Sequence, residues 1–267
     1  SLDIVLNDVR DATGMQLLVA TLLYPIQLYS DFAGYTCMAL GLGRMLGFRL
    51  HPNFDRPFAS RSTGELWRRW HESLSFWVRD YVFTPLNASL REYGRWGVCL
   101  SLLVTFVVIG VWHGAGWTFA CYGLCQGVLV IEEALLGKRR ERWYGYLGKH
   151  VGNALMMIRT YIFFALSLLF FRVAEVSDVF YTYRHLFDGI ESSVKELRLG
   201  MDDHSWIVFG VATIVMLIVE YANSHRNLIV ASERLRPLWR WTLYFAVLLI
   251  ILFYGSFGVE NFIYIQF

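Results

Sequence analysis

Long apolar stretches without acidic or basic side chains recur along this chain: Met15 to Ser30, Phe32 to Gly43, Gly97 to Ile131, Thr160 to Phe171, Ser205 to Val219 and Trp241 to Val259. A helix crosses the hydrocarbon core of a bilayer with about 20 apolar residues. Gly97 to Ile131 is therefore too long for one span and suits two short ones joined at the turn Trp112-His113-Gly114-Ala115-Gly116-Trp117. Read this way, the pattern predicts an all-α fold of six or seven helices that span or partly span the membrane. Between the first two stretches, Asp31 and Gly34 interrupt the apolar run from Tyr29 to Tyr35. That predicts a broken helix resuming through Met38 to Leu46, tolerated at membrane depth only against protein or a wet cavity.

Arg49 to Leu86 has a different pattern. It opens with the turn-rich His51-Pro52-Asn53-Phe54-Asp55-Arg56-Pro57, followed by Ser62-Thr63-Gly64-Glu65. The second motif has the spacing of a capping box and marks a helix start. Leu66, Trp67, Trp70, Leu74, Trp77, Val78, Tyr81 and Val82 then form an apolar stripe, with Glu65, Arg68, Arg69, Glu72, Arg79 and Asp80 on the other face. The spacing predicts one amphipathic helix ending before Pro85, lying at the interface or dipping into the protein as a re-entrant element. His71 borders the stripe, four residues after Trp67 and three before Leu74.

Composition agrees with a membrane protein. The 267 residues are 56% hydrophobic and 17% charged, with a mean hydropathy of +0.42, above that of soluble globular domains. A net charge of +2 with dispersed basic residues argues against a nucleic-acid partner. The loops Gly137 to His150 and Asn223 to Arg240 are basic, whereas Arg172 to Asp203 carries more acids than bases. Positive-inside bias places the two basic loops in the cytoplasm and the acidic one outside. No repeat or proline-rich linker divides the chain, so residues 1 to 267 are read as one membrane-embedded domain. The start, Ser-Leu-Asp-Ile-Val-Leu-Asn-Asp, is not read as a signal peptide, and the chain is expected to be part of a longer protein. Cys37, Cys99, Cys121 and Cys125 lie in apolar surroundings as small buried hydrophobes, with neither a disulfide framework nor a metal site expected.

Within Gly97 to Ile131, His113 is the one ionisable group other than the cysteine thiols and Tyr122 that could serve as a base near neutral pH. Ionisable groups at membrane depth are costly to bury and point to function. The alternative is a histidine bonded to a backbone carbonyl between helices. Gly123 and Gly127 have GxxxG spacing and are read as helix packing. Glu132-Glu133 is read as a solvated membrane boundary.

Several motifs together carry a resemblance. Asn53-Phe54-Asp55-Arg56-Pro57-Phe58, Glu65 to Ser75, Arg79-Asp80-Tyr81 and Val111 to Phe119 resemble the membrane-bound O-acyltransferase family. The similarity is greatest to the branch that contains the alginate O-acetyltransferase membrane subunit and the teichoic-acid D-alanyl transfer protein. Tyr29 to Arg44 and the ending Asn261 to Phe267 share in it, so the resemblance runs over nearly the whole chain. The chain is about half the family's usual length and resembles its C-terminal portion. Glu72 stands where a hydrophobic residue is commoner, and Asn87-Ala88 where the family has paired glycines.

The resemblance implies a central cavity and an acyl transfer. A short acyl group, acetyl above all, would pass from a cytoplasmic thioester donor, acetyl-coenzyme A or an acyl-carrier phosphopantetheine, to a hydroxyl of an extracytoplasmic polysaccharide or relay protein. His113 matches the family's proposed base and His71 its second histidine. Asp31 matches the carboxylate after the first tyrosine. Arg56, Arg68, Arg69, Arg79 and Asp80 form a polar cluster in which arginines could hold donor phosphates, or else anchor the chain and pair with Asp. Asn53, Trp67, Trp70, Trp112 and Gly114 complete the expected cavity lining. No metal is called for, and an extracytoplasmic acyltransferase or polysaccharide-modifying protein is the expected partner in a bacterial cytoplasmic (inner) membrane. Two other readings stay open: a relay channel or transporter without chemistry, and a non-catalytic scaffold for a secreted acyltransferase.

Overall fold

A computed structural model of the chain describes residues 2–189, 199–225 and 228–255. The ending Asn261 to Phe267, part of the resemblance above, lies outside the described residues. Among the described residues the structure is helical without strands, and five helices are long and apolar enough to cross a membrane: Arg91–His113, Trp117–Gly145, Lys149–Arg172, Asp203–Asn223 and Pro237–Tyr254. The chain divides into two compact units, Ser1–Trp206 and Ile207–Phe267.

The first unit opens with α1 (Leu2–Asn7) and α2 (Gly14–Met45). Thr13 caps α2 with a full capping box, its Oγ1 accepting from Gln16 N while Gln16 Oε1 accepts from Thr13 N. The break expected between Tyr29 and Tyr35 is absent, and α2 runs straight through Asp31 and Gly34. Packing explains the continuity. Leu17, Tyr24, Leu28, Tyr29 and Phe32 bury one face of α2, and Tyr161 donates its hydroxyl proton to Leu22 O from a neighbouring helix. A helix supported by protein along that face does not expose Asp31, which is half-buried, to lipid alone.

The amphipathic segment also departs from its pattern. Ser62 caps α3 (Thr63–Arg69) by accepting from Glu65 N. Glu65 returns its carboxylate to Arg61 N, one residue before the cap. The helix then stops at Trp70, which is extended, and His71, which is left-handed at φ 47° and ψ 54°. It restarts as α4 (Glu72–Val78), widens into a π turn at Arg79–Phe83 and continues as α5 (Thr84–Ser89). Instead of one helix ending before Pro85, there are two pieces and a helix that passes through it. Pro85 lacks an N–H and clashes with the carbonyl four residues earlier, and the widened turn just before it relieves both problems.

The predicted hairpin is present as α6 (Gly94–His113) and α7 (Trp117–Gly145). Close approach of the two helices rests on glycine. A Cβ on Gly123 would strike the carbonyl of Phe106, and one on Gly110 the carbonyl of Phe119. α8 (Lys149–Ser167) and the short α9 (Leu169–Arg172) complete a third span, followed by α10 (Val176–His185). Inside these helices Ser101, Thr105 and Thr160 donate their hydroxyls to carbonyls one turn back, the usual way of satisfying a hydroxyl away from water. The second unit contains most of α11 (Asp203–His225) together with α12 (Leu228–Glu233) and α13 (Pro237–Tyr254). Ile214, Val215, Leu248 and Ile251 lie exposed on its helices, a surface suited to lipid.

Candidate active site

A fully buried carboxamide fixes α3 against the membrane helices. Trp67 Nε1 donates to Gln126 Oε1 at 3.0 Å, Gln126 Nε2 donates to Ser167 Oγ at 2.7 Å, and Ser167 Oγ donates to Phe164 O at 2.7 Å. This relay ties α3, α7 and α8 together. It was not anticipated from the sequence, although Gln126 is the one carboxamide between Gly97 and Ile131. Glu133 adds a second link, accepting from Gly64 N at 2.8 Å in the first turn of α3. Glu132 accepts from Arg140 and Arg159. Both acids are therefore structural partners rather than the solvated boundary their pairing suggested.

The chain around His71 is held by the turn before α3. Phe54 pairs with Trp70 as an antiparallel bridge. Asp55 N donates to Arg69 O, and Glu72 N donates to Asn53 O, both at 3.0 Å. Phe54 packs edge-on against Tyr29, Phe32 and Trp70 at 5.0 to 5.2 Å between centroids. A non-glycine residue in the left-handed region costs about 1–2 kcal/mol, and such conformations persist where surrounding structure over-determines them.

The two histidines meet across one tryptophan. The ring of Trp112 lies 6.3 Å from that of His71 and 4.9 Å from that of His113. His71 packs on its other side against Phe32 at 4.8 Å, and His113 against Phe171 at 5.1 Å. His113 Nδ1 is 2.7 Å from Ile109 O. A carbonyl can only accept, so Nδ1 carries the proton and the ring's basic lone pair is on Nε2. Burial among apolar groups, reinforced by the neighbouring His113, pushes the His71 pKa down to about 4, so that this ring stays neutral near physiological pH. Gly114 ends α6, where a Cβ would collide with the Phe119 ring. The turn can thus fold tightly behind His113.

Two cavities share Arg68, an apolar one near this centre and a polar one toward the far end of the hairpin. An apolar one of about 420 Å³ is lined by Trp67, Phe76, Phe106 and Ile109, with Arg68 and Arg79 among its polar groups. Ile109 stands one turn before His113. A polar cavity of about 740 Å³ is lined by Arg68, Arg69, Glu133, Arg140 and Lys149 among others, and Arg68 belongs to both.

The other expected site residues have varied placements. Trp70 is core, packed on Tyr29 and Phe164. Arg56 pairs with Asp55, and Arg69 with Glu65. Arg79 grips both oxygens of Asp80, whose carboxyl is held below the usual carboxylate range by that bond. Three of the cluster's arginines are thus paired with acids close in sequence. Asp31 lies in α2 next to Phe32, which touches His71.

The model of the membrane-bound O-acyltransferase family matches residues 9–175, which hold both histidines and the hairpin turn. The chain belongs to this family. Among its O-acyltransferase relatives, a protein named probable alginate O-acetylase AlgI from Azotobacter vinelandii is 44% identical over 126 residues, 47% of this chain and 25% of the relative. A peptidoglycan O-acetyltransferase of Helicobacter pylori is 32% identical over 165 residues, 61% of this chain and 30% of the relative. A teichoic acid D-alanyltransferase of Streptococcus thermophilus is 39% identical over 123 residues, 44% of this chain and 30% of the relative. The chain therefore spans between 25% and 30% of each of these relatives.

Proposed function

We propose that the protein is a multi-pass membrane O-acyltransferase that moves a short acyl group, acetyl in the first instance, from a cytoplasmic thioester donor to a hydroxyl of an extracytoplasmic polysaccharide or relay protein. The observation that carries this reading is His113, whose Nδ1 is committed to Ile109 O while Nε2 retains a basic lone pair. The names of the relatives, two acetyl transferases and one D-alanyl transferase, support the reaction class.

In the proposed reaction His113 Nε2 takes the proton of the acceptor hydroxyl as its oxygen attacks the thioester carbonyl. The tetrahedral intermediate collapses to the ester and expels the thiolate, which takes the proton back from His113. His71, neutral at working pH, would donate an N–H to the carbonyl oxygen as negative charge develops there. Arg68, between the polar and apolar cavities, would hold a phosphate of coenzyme A or phosphopantetheine through its forked donors. The basic loops support a bacterial inner-membrane location with the donor side in the cytoplasm. An extracytoplasmic acyltransferase or polysaccharide-modifying protein is the proposed partner.

The test uses membranes containing the full-length protein and labelled acetyl-coenzyme A. His113→Ala should lower label reaching the external acceptor by about 10²- to 10⁴-fold, the range for removal of a general base. Equal labelling would overturn the assignment and favour a relay channel.

A further inference from the structure

We infer that Asn53 is a positioning residue for His71, supplying from the preceding turn the helix cap that His71 cannot give. The functional part of this inference rests on the reading of His71 as a member of the acyl-transfer centre.

α4 begins immediately after His71, whose side chain makes no capping bond to it. Its first two N–H groups go instead to a single residue. Glu72 N donates to the Asn53 carbonyl at 3.0 Å, and Ser73 N donates to Asn53 Oδ1 at 3.1 Å. Uncapped N–H groups at a helix start need an acceptor, and a side-chain oxygen from Asn is among the best. Here the acceptor comes from 20 residues upstream.

The consequence for His71 follows from backbone direction. Residues 62 to 82 carry a stripe compatible with one continuous helix. With Trp70 and His71 both right-handed, α3 and α4 would form one helix and the imidazole would be carried around it. The left-handed conformation instead directs the ring between Phe32 and Trp112. Phe54 and Trp70 hold the loop through their rings without any help from the Asn53 amide. The carboxamide thus selects between two paths of the chain at His71 rather than supporting the fold as a whole.

The test compares Asn53→Ala with Asn53→Asp in the full-length protein. Asp keeps the Oδ1 acceptor and places a carboxylate at a helix N-terminus, where it is favourable. With labelled acetyl-coenzyme A, the Ala variant should lose about 100-fold in kcat, the scale of a misplaced catalytic group. Its KM should change little, because binding of the donor is not the interaction removed. The Asp variant should recover most of the rate. Independently of activity, diethyl pyrocarbonate should modify the half-buried His71 faster in the Ala variant and at the wild-type rate in the Asp variant, as read by mass spectrometry. Should Asn53→Ala fail to accumulate, Asn53→Gln, with the same amide one methylene longer, takes its place with the same expectations. Wild-type kcat and modification in the Ala variant, or an Asp variant no better than Ala, would overturn the inference. Full activity of His71→Asn would instead remove the catalytic reading of His71, and the modification rates alone would then decide whether Asn53 holds it.

Discussion

His71 carries two burdens, a left-handed backbone and a half-buried ring, and the second gives a pH signature. Its pKa is pushed from the ordinary 6.5 down to about 4 by burial and by His113. Between those values the unfolded chain binds a proton at this site and the folded chain does not, so stability rises with pH across the window. Stability from His71 is complete above about pH 6.5 and is lost as pH falls toward 4, by about 3 kcal/mol in all. His71→Asn, a residue that tolerates the left-handed region, should flatten this slope in unfolding measurements on the detergent-solubilised protein. An unchanged slope would show that His71 is not the group responsible. His113 was legible in the sequence because its surroundings have no other charge to explain. The conformation of His71 was not legible, because the hydrophobic stripe is the same whether or not one residue within it turns left-handed.

At the scale of elements, the α6–α7 hairpin followed directly from an uncharged run too long for one span, and its turn fell where two glycines flank Ala115. The longer-range devices were hidden. A break in the helix at Trp70–His71 depends on pairing with Asn53–Asp55, and continuity of α2 through Asp31 depends on neighbours far along the chain. Neither is a local property. The relay through Gln126 belongs to the same class. Gln126→Leu would leave Trp67 Nε1 buried without an acceptor and should lower stability by about 1–3 kcal/mol, seen as an earlier unfolding midpoint in detergent. Gly123→Leu would drive a side chain into the carbonyl of Phe106 and should cost about as much or more through overpacking. If either variant unfolds with the wild-type midpoint, the corresponding contact does not hold α7 in place.

Across the first unit, the positions of charge and of chemistry are set apart. α6 rises about 30 Å from Gly94 to His113 at 1.5 Å per residue. Arg140, late in α7, and Lys149, at the start of α8, lie toward the opposite end of the hairpin and line the polar cavity with Arg68. A phosphate-bearing donor would be drawn to that basic end, whereas the proton must be removed beside Trp112. Arg68, which borders both cavities, should therefore affect donor binding without taking part in proton transfer. Charge reversal in Arg68→Glu should raise the KM for acetyl-coenzyme A about tenfold or more, the scale of a hydrogen bond to a charged group, and leave kcat near wild type. His113→Ala should do the reverse. A rise in KM that vanishes at high salt would indicate long-range attraction, whereas one that persists would indicate a direct contact. Loss of kcat without a change in KM in Arg68→Glu would place Arg68 with the reacting atoms and remove the separation between donor capture at the basic end and chemistry at Trp112.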